Sequence, residues 1–326
     1  MGKVSAASSP AKRVIEQPRK VLVLVGPTAS GKTDVALRLA QLLPVEIISA
    51  DSRQIYKYLD IGTAKPTPEQ LRLVKHHFVS AFSPDHEFSA GEFGAKGRKV
   101  IDAIFARGRT PLVVGGSGLY IQALIDGFFE GPGADKEFRD RLNRRVAAGE
   151  LPKLVEELRA VDPATASRID PHNARRLIRA LEVFHLTGKP MSQVHRHHAV
   201  TISFLPKLFG LAWDRSQLYR RIEQRCDAML QAGLLKEVEE LERRKLTPTL
   251  NALNTVGYEE AFAYRRGELS YDEMVRLFKQ NSRRYAKRQL TWFRRDTRIQ
   301  WIAMDEHTNP ATVAQQIYRA FTTDDC

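Results

Sequence analysis

Lys20-Val21-Leu22-Val23-Leu24-Val25-Gly26-Pro27-Thr28-Ala29-Ser30-Gly31-Lys32-Thr33 is the stretch that decides the fold. Its first six residues are an apolar run rich in β-branched side chains, short enough for a buried strand, and Gly26-Pro27 closes it with a turn. The remainder matches G-x-x-x-x-G-K-[ST] in the context that motif requires, after a strand and before a helix. The glycines let backbone N–H groups turn inward around phosphate oxygens, and a helix N-terminus adds the positive end of its dipole. Lys32 neutralises terminal phosphates, and the Thr33 hydroxyl is a ligand for Mg²⁺. Gly26 to Thr33 therefore form a polyphosphate cradle; the motif alone does not specify ATP.

Outward from this loop the same rhythm repeats. Residues 34–43 carry a buried-helix pattern stopped by Pro44, and residues 45–50 form a second strand ending at Asp51. A helix over 91–106 and a strand over 110–114 follow, the latter closed by Gly115-Gly116. Alternating strands and helices predict a parallel sheet covered by helices, an α/β P-loop NTPase-like core. From Asp135 to Leu186 the pattern is helical throughout, with Pro152, Pro163 and Pro171 near helix starts. A strand returns at 207–213, then long helices at 215–245 and 271–295, a strand at 299–303 and a helix at 310–321. The organisation predicted is a mobile leader over 1–19, a core from 20–126 and 200–326, and an all-helical insertion domain over 127–199.

Composition narrows the class. The 326 residues carry 51 Lys and Arg against 38 Asp and Glu, a net charge of +13, which points to a polyanionic partner. The excess is spread, +5 over residues 1–130 and +8 over the rest, as a long binding face requires and a basic tail does not. No apolar run reaches the roughly 18 residues of a membrane span, and the first 20 residues lack the core of an export signal. Two cysteines, Cys226 and Cys326, exclude a disulfide scaffold and fit a reducing cytoplasm. No surplus apolar helix face is evident, so a monomer is expected.

Ligands of parallel sheets sit outside the carboxyl ends of the strands, which places Asp51 and Lys32 in one crevice. Position alone leaves three roles open for Asp51: metal ligand, helix cap or proton acceptor. Gly115-Gly116-Ser117-Gly118 forms another wall, or simply a tight turn. Arg225 falls on the apolar stripe Leu218, Ile222, Cys226, Met229 of its helix. An arginine there needs an anion or a buried partner, or else snorkels at the stripe edge. Residues 279–298 hold eight basic side chains and one acid, which favours phosphate-backbone contact over a merely solvated face. Arg175, Arg176 and Arg179 form a second cluster. His195, His197 and His198 have no cysteine or carboxylate in register and read as loop, while His76-His77 reads as structural or substrate-lining.

Eight stretches occur in one order: 26–33 (GPTASGKT), 51–56 (DSRQIY), 60–66 (DIGTAKP), His76-His77, 88–93 (FSAGEF), 115–120 (GGSGLY), 176–183 (RLIRALEV) and 286–294 (AKRQLTWFR). Together they resemble the bacterial tRNA dimethylallyltransferases, or tRNA isopentenyltransferases, over about residues 20–302. The resemblance implies transfer of a dimethylallyl group from dimethylallyl diphosphate to N6 of the adenosine just 3′ of the anticodon, position 37, with release of diphosphate. It makes Asp51 the proton acceptor, and Lys32, Arg225, the loop N–H groups and Mg²⁺ the stabilisers of the leaving diphosphate. It implies contacts to the tRNA anticodon stem-loop by Asp51, Ser52, Arg53, Gln54, Ser117, Arg139, Arg175, Arg176, Arg179, Asn254, Gly257, Tyr258, Lys287 and Arg288. Serine stands at 117 where the family usually has threonine, which keeps the hydroxyl. Two other readings share parts of this pattern: a P-loop kinase with Asp51 as base, against which the cationic window counts, and a non-catalytic RNA-binding protein, against which Lys32 and Asp51 count.

Overall fold

A computed structural model describes residues 19–127, 132–194 and 202–323. Six strands, β1 (Lys20–Val25), β2 (Val45–Ala50), β3 (His76–His77), β4 (Thr110–Gly115), β5 (Leu205–Trp213) and β6 (Gln300–Met304), form one parallel sheet in the order β3-β2-β4-β1-β5-β6. Around it lie α1 (Lys32–Leu42), α2 (Pro68–Leu73), α3 (Ala90–Ala106) and α4 (Gly118–Ile125). The insertion contributes α5 (Lys136–Ala147), α6 (Leu151–Val161), α7 (Pro163–Ala166), α8 (Ala174–Thr187) and α9 (Met191–Val194). The chain then supplies α10 (Arg215–Gln231), α11 (Leu234–Arg243), α12 (Tyr258–Arg265), α13 (Tyr271–Phe293) and α14 (Pro310–Thr323).

The period-2 alternation of β1 splits its side chains between two cores. Leu22 and Leu24 pack with Val35 and Leu39 of α1 and Val313, Ile317 and Phe321 of α14. Val21, Val23 and Val25 pack on the opposite face with Ile101 of α3, Ile121 of α4, Ile222 of α10 and Phe293 of α13. The insertion has a core of its own, built from Leu142, Leu154, Leu158, Leu177 and Leu181. It is helical throughout its described residues, as its pattern predicts. Pro152 and Pro163 sit in the first turns of α6 and α7, whereas Pro171 precedes α8, which Asn173 caps.

Two expectations are corrected and one, for His76-His77, is narrowed to its structural alternative. The single helix expected over 215–245 is two helices, because Gly233 takes φ +101°, the left-handed conformation that ends a helix. The pair His76-His77 forms the edge strand β3, too short for any periodic signal. Helix α1 starts at Lys32, so its N-terminus opens directly from the loop. The three histidines at 195, 197 and 198, Cys326 and nearly all of the leader lie outside the described residues.

Strand register sets up the site. Ala50 is paired with Gly115, Gly115 with Val25, and Val25 with Gly210. β1, β2 and β4 end level, so the loops that begin at Gly26, Asp51 and Gly116 leave the sheet side by side.

Candidate active site

These loops, with α10 and α13, enclose a cavity of about 440 Å³ lined by residues 28–34, Asp51, Arg53, Gln54, Gly116, Arg221, Arg225, Tyr285 and Gln289 among others. Lys32 Nζ is folded over the loop, donating to Pro27 O at 2.7 Å and Gly26 O at 3.0 Å. Burial and the nearby Arg225 guanidinium pull the Lys32 ammonium down to about 7, against the upward pull of Asp51. Burial likewise lowers Arg225, and Asp51 raises it. Arg225 has no hydrogen bond or ion pair among the described residues. A half-buried cation left without a bonded counter-charge is the complement of an anionic ligand.

Asp51 is oriented by its own turn: Oδ1 accepts from Arg53 N at 2.8 Å and Gln54 N at 3.2 Å. That arrangement leaves Oδ2 uncommitted among the described residues. Lys32, Arg225 and Asp51, three residues 193 positions apart in sequence at the extremes, thus act on one another across one cavity. Tyr285 lines it too; burial and the Asp51 charge push its hydroxyl up to about 12, so it enters any reaction near neutrality as a protonated phenol.

The neighbouring contacts are specific. Ser117 Oγ accepts Ser52 N at 3.0 Å, tying the second and fourth strand ends together. Arg53 reaches Asn251 O at 2.5 Å and Asn254 O at 3.2 Å, and Gln54 Nε2 donates to Thr63 O and Ala64 O. These side chains build the crevice mouth as well as lining it. Gly257, at φ +94°, receives the Glu260 carboxylate on its N–H and starts α12. Tyr258 departs from the expected tRNA contact. Its ring is fully buried and its hydroxyl donates to Glu237 Oε1 at 2.6 Å, while that carboxylate accepts the N–H groups of Asp60, Ile61 and Gly62. Tyr258 therefore positions the 60–62 loop from behind.

The cationic clusters divide in the same way. Lys279 pairs with Asp227, Arg283 with Glu223, and Arg298 with Asp126 and Asp296. Lys287, Arg288, Arg294 and Arg295 are exposed and have no carboxylate partner among the described residues. In the insertion, Arg139 and Arg179 both bond the fully buried Glu182, at 2.7 and 2.6 Å, so these two are first of all parts of the insertion's own frame. Arg175 and Arg176 remain exposed. A second cavity, of about 560 Å³, is lined by Arg176 of the insertion and by Trp292 and Arg295 of the core, which brings the two clusters to one groove.

The motifs assign no role to three further contributors. Gln289 Oε1 accepts Thr28 N at 2.8 Å, Arg221 Nε donates to Ala29 O at 2.9 Å, and Trp213 Nε1 donates to Ser30 O at 3.0 Å. The Arg221 guanidinium also lies 4.3 Å over the Trp213 ring. Gln289 had a readable signal: it falls on the stripe Phe278, Ser282, Ala286, Phe293, where a polar residue needs a buried partner.

The donor set suits Mg²⁺. The Thr33 hydroxyl and the Asp34 and Asp51 carboxylates are hard oxygens lining the cavity that would take the phosphates, and this ion is commonly shared between one or two such side chains, phosphate oxygens and water.

Residues 54–296 match the model of a family described as IPP transferase. The chain belongs to that family. It is 45% identical over 301 residues to the tRNA dimethylallyltransferase of Pelotomaculum thermopropionicum, covering 92% of this chain and 95% of that one. Among solved structures, the full-length tRNA isopentenylpyrophosphate transferase of Bacillus halodurans is 36% identical with a TM-score of 0.68, over 94% of this chain and 98% of that one. A eukaryotic dimethylallyltransferase acting on tRNA is 26% identical with a TM-score of 0.79, over 94% and 79% respectively. The IPP transferase match begins three residues past Asp51 and ends within the loop after α13, so it spans the insertion and every core element from α2 to α13.

Proposed function

We propose that this IPP transferase moves a dimethylallyl group from dimethylallyl diphosphate to N6 of the adenosine 3′ of the anticodon, position 37, in tRNA. The observation that carries the reading is the juxtaposition, at the level ends of β1 and β2, of a cationic phosphate cradle and a carboxylate held by its own turn.

The loop N–H groups, Lys32 and Arg225 bind the diphosphate. As the bond from its oxygen to the allylic carbon breaks, the electron pair leaves with the diphosphate, and those cations meet the charge where it develops. The adenine amine forms the new N6–C bond. It is a weak nucleophile because its lone pair is delocalised into the ring, and Asp51 takes the proton it loses. Mg²⁺ would further neutralise the diphosphate, held by Thr33 and the Asp34 carboxylate, which leaves Asp51 for the proton. The target base leaves its stack to reach Asp51, at small cost in a loop where it has no pairing partner. Lys287, Arg288, Arg175 and Arg176 hold the RNA backbone. The enzyme works as a cytoplasmic monomer. Among the described residues no helix is long and apolar enough to cross a membrane.

The test is transfer of labelled dimethylallyl from its diphosphate to unmodified tRNA with Mg²⁺, beside an ATP-hydrolysis assay. Labelled tRNA without ATP turnover is expected. ATP turnover with unlabelled tRNA overturns the reading and makes the cradle that of a kinase.

A further inference from the structure

The crest of the P-loop lines the cavity, but α13 covers part of it. Its Thr28 N–H is already bonded to Gln289 Oε1, and the Nε2 of the same amide donates to Gly116 O at 2.9 Å. Gln289 comes from α13, lies 8% exposed and still lines the cavity that holds Lys32 and Arg225. The opposite wall is shaped around it: a Cβ on Gly116 would stand 2.2 Å from Nε2. On the neighbouring residues, Arg221 and Trp213 hold Ala29 O and Ser30 O. The loop is thus anchored from three separate elements, and two of its N–H groups, Thr28 to Gln289 Oε1 and Ser30 to Pro27 O at 3.3 Å, are spent before any ligand arrives.

A triphosphate needs more of such a loop's N–H groups, and more room over its crest, than a diphosphate. Charge alone favours the longer anion, since Lys32, Arg221 and Arg225 attract it more strongly. Selectivity for the shorter one therefore requires a device other than charge. We propose that Gln289 is that device: its amide occupies the crest position, so the cradle accepts a diphosphate chain and excludes a triphosphate. To make room, a third phosphate has to expel a buried amide from both of its hydrogen bonds and leave Gly116 O unpaired. The proposal rests on the reading of the loop as a diphosphate cradle. It assigns Gln289 a specificity role and no part in proton or group transfer.

Calorimetric titration of the full chain with inorganic diphosphate and with inorganic tripolyphosphate, both with Mg²⁺, tests it. The wild type is expected to bind diphosphate at least ten-fold more tightly. Gln289→Ala is expected to shift the ratio at least ten-fold toward tripolyphosphate, which then becomes a competitive inhibitor of dimethylallyl transfer. Should the alanine variant not fold, Gln289→Asn keeps an amide but shortens its reach, and the same shift is expected. Wild-type protein that binds tripolyphosphate as tightly as diphosphate overturns the proposal, as does a folded variant with an unchanged ratio. In both cases labelled tRNA would still form, and the transferase reading would stand. Wild-type protein that binds neither anion removes the cradle reading and this proposal together.

Discussion

At the scale of single residues, the sheet holds side chains of opposite demand apart within one cavity. Asp51 and Lys32 leave different strand ends, and Arg225 arrives from α10, so carboxylate and cations share a cavity while no ion pair forms between them. A direct pair would neutralise the proposed base and fill the proposed anion site. Asp51 is oriented through Oδ1 alone, which is what a proton acceptor needs. Asp51→Ala is expected to lower kcat by roughly 10²–10⁴-fold, the usual worth of a positioned general base, while the tRNA Kd stays within about two-fold. Equal loss of turnover and tRNA binding would make Asp51 an RNA contact and not a base. Asp51 was legible as a strand-end acid; its orientation was not, because the Asx turn is made by N–H groups whose direction depends on the local backbone.

At the scale of elements, α13 shows how one helix divides its labour. Its buried stripe ends in Gln289 and Phe293, one flank pairs with α10 through Lys279 and Arg283, and the exposed flank presents Lys287 and Arg288. Alanine at Lys287 or Arg288 is expected to weaken tRNA binding and reduce the salt slope of log K by about 1 each. Alanine at Lys279 is expected to leave that slope unchanged, since its ammonium faces Asp227; filter binding from low to moderate salt distinguishes them. Eight basic residues looked equivalent in the sequence because the partners of three lie on α10, on α4's C-cap and beyond the helix end. Strand β2 makes a similar point. Glu46 is buried in it, and bonds from Arg107, then His77, with Lys75 nearby, hold its carboxyl down at about 2 against the opposing effect of burial. Its folded value lies below its unfolded 4.5, so its contribution is complete above about pH 4.5 and is lost as pH falls through 2. Full loss corresponds to about 3 kcal/mol. Urea unfolding should find wild type more stable than Glu46→Gln by about that amount at pH 7, with the gap shrinking as the pH approaches 2. A gap independent of pH would remove this account of Glu46.

At the scale of the whole molecule, the insertion carries its own core and its own buried charge. Glu182 is fully enclosed and takes Arg139, Arg179 and the N–H of Asp135. Glu182→Gln is expected to destabilise the insertion by about 2 kcal/mol, less than a fully buried pair because both arginines are about a third exposed. The core has separate apolar clusters on both faces of the sheet. The variant is therefore expected to lose tRNA affinity several-fold while binding diphosphate as wild type does. Parallel loss of both affinities would show that the insertion and the core fold as one unit.

Most strands and helices, the glycine-rich loop, the acid beside it and the family were legible in the sequence, because each rests on local chemistry: hydrophobic period, glycine spacing and motif order. Arg225 was legible too, since a cation on an apolar stripe is a local contradiction. Tertiary structure alone decided which polar groups were already spent. Tyr258 and Arg139 look like surface contacts by motif, yet each bonds a carboxylate on another helix, while Arg179 bonds Glu182 one turn along its own. Gln289 meets Thr28 only across 261 residues of sequence, when α13 is packed against the sheet. Hydrogen-bond partners are chosen by proximity in space, and sequence spacing carries that information only within a turn or a helix.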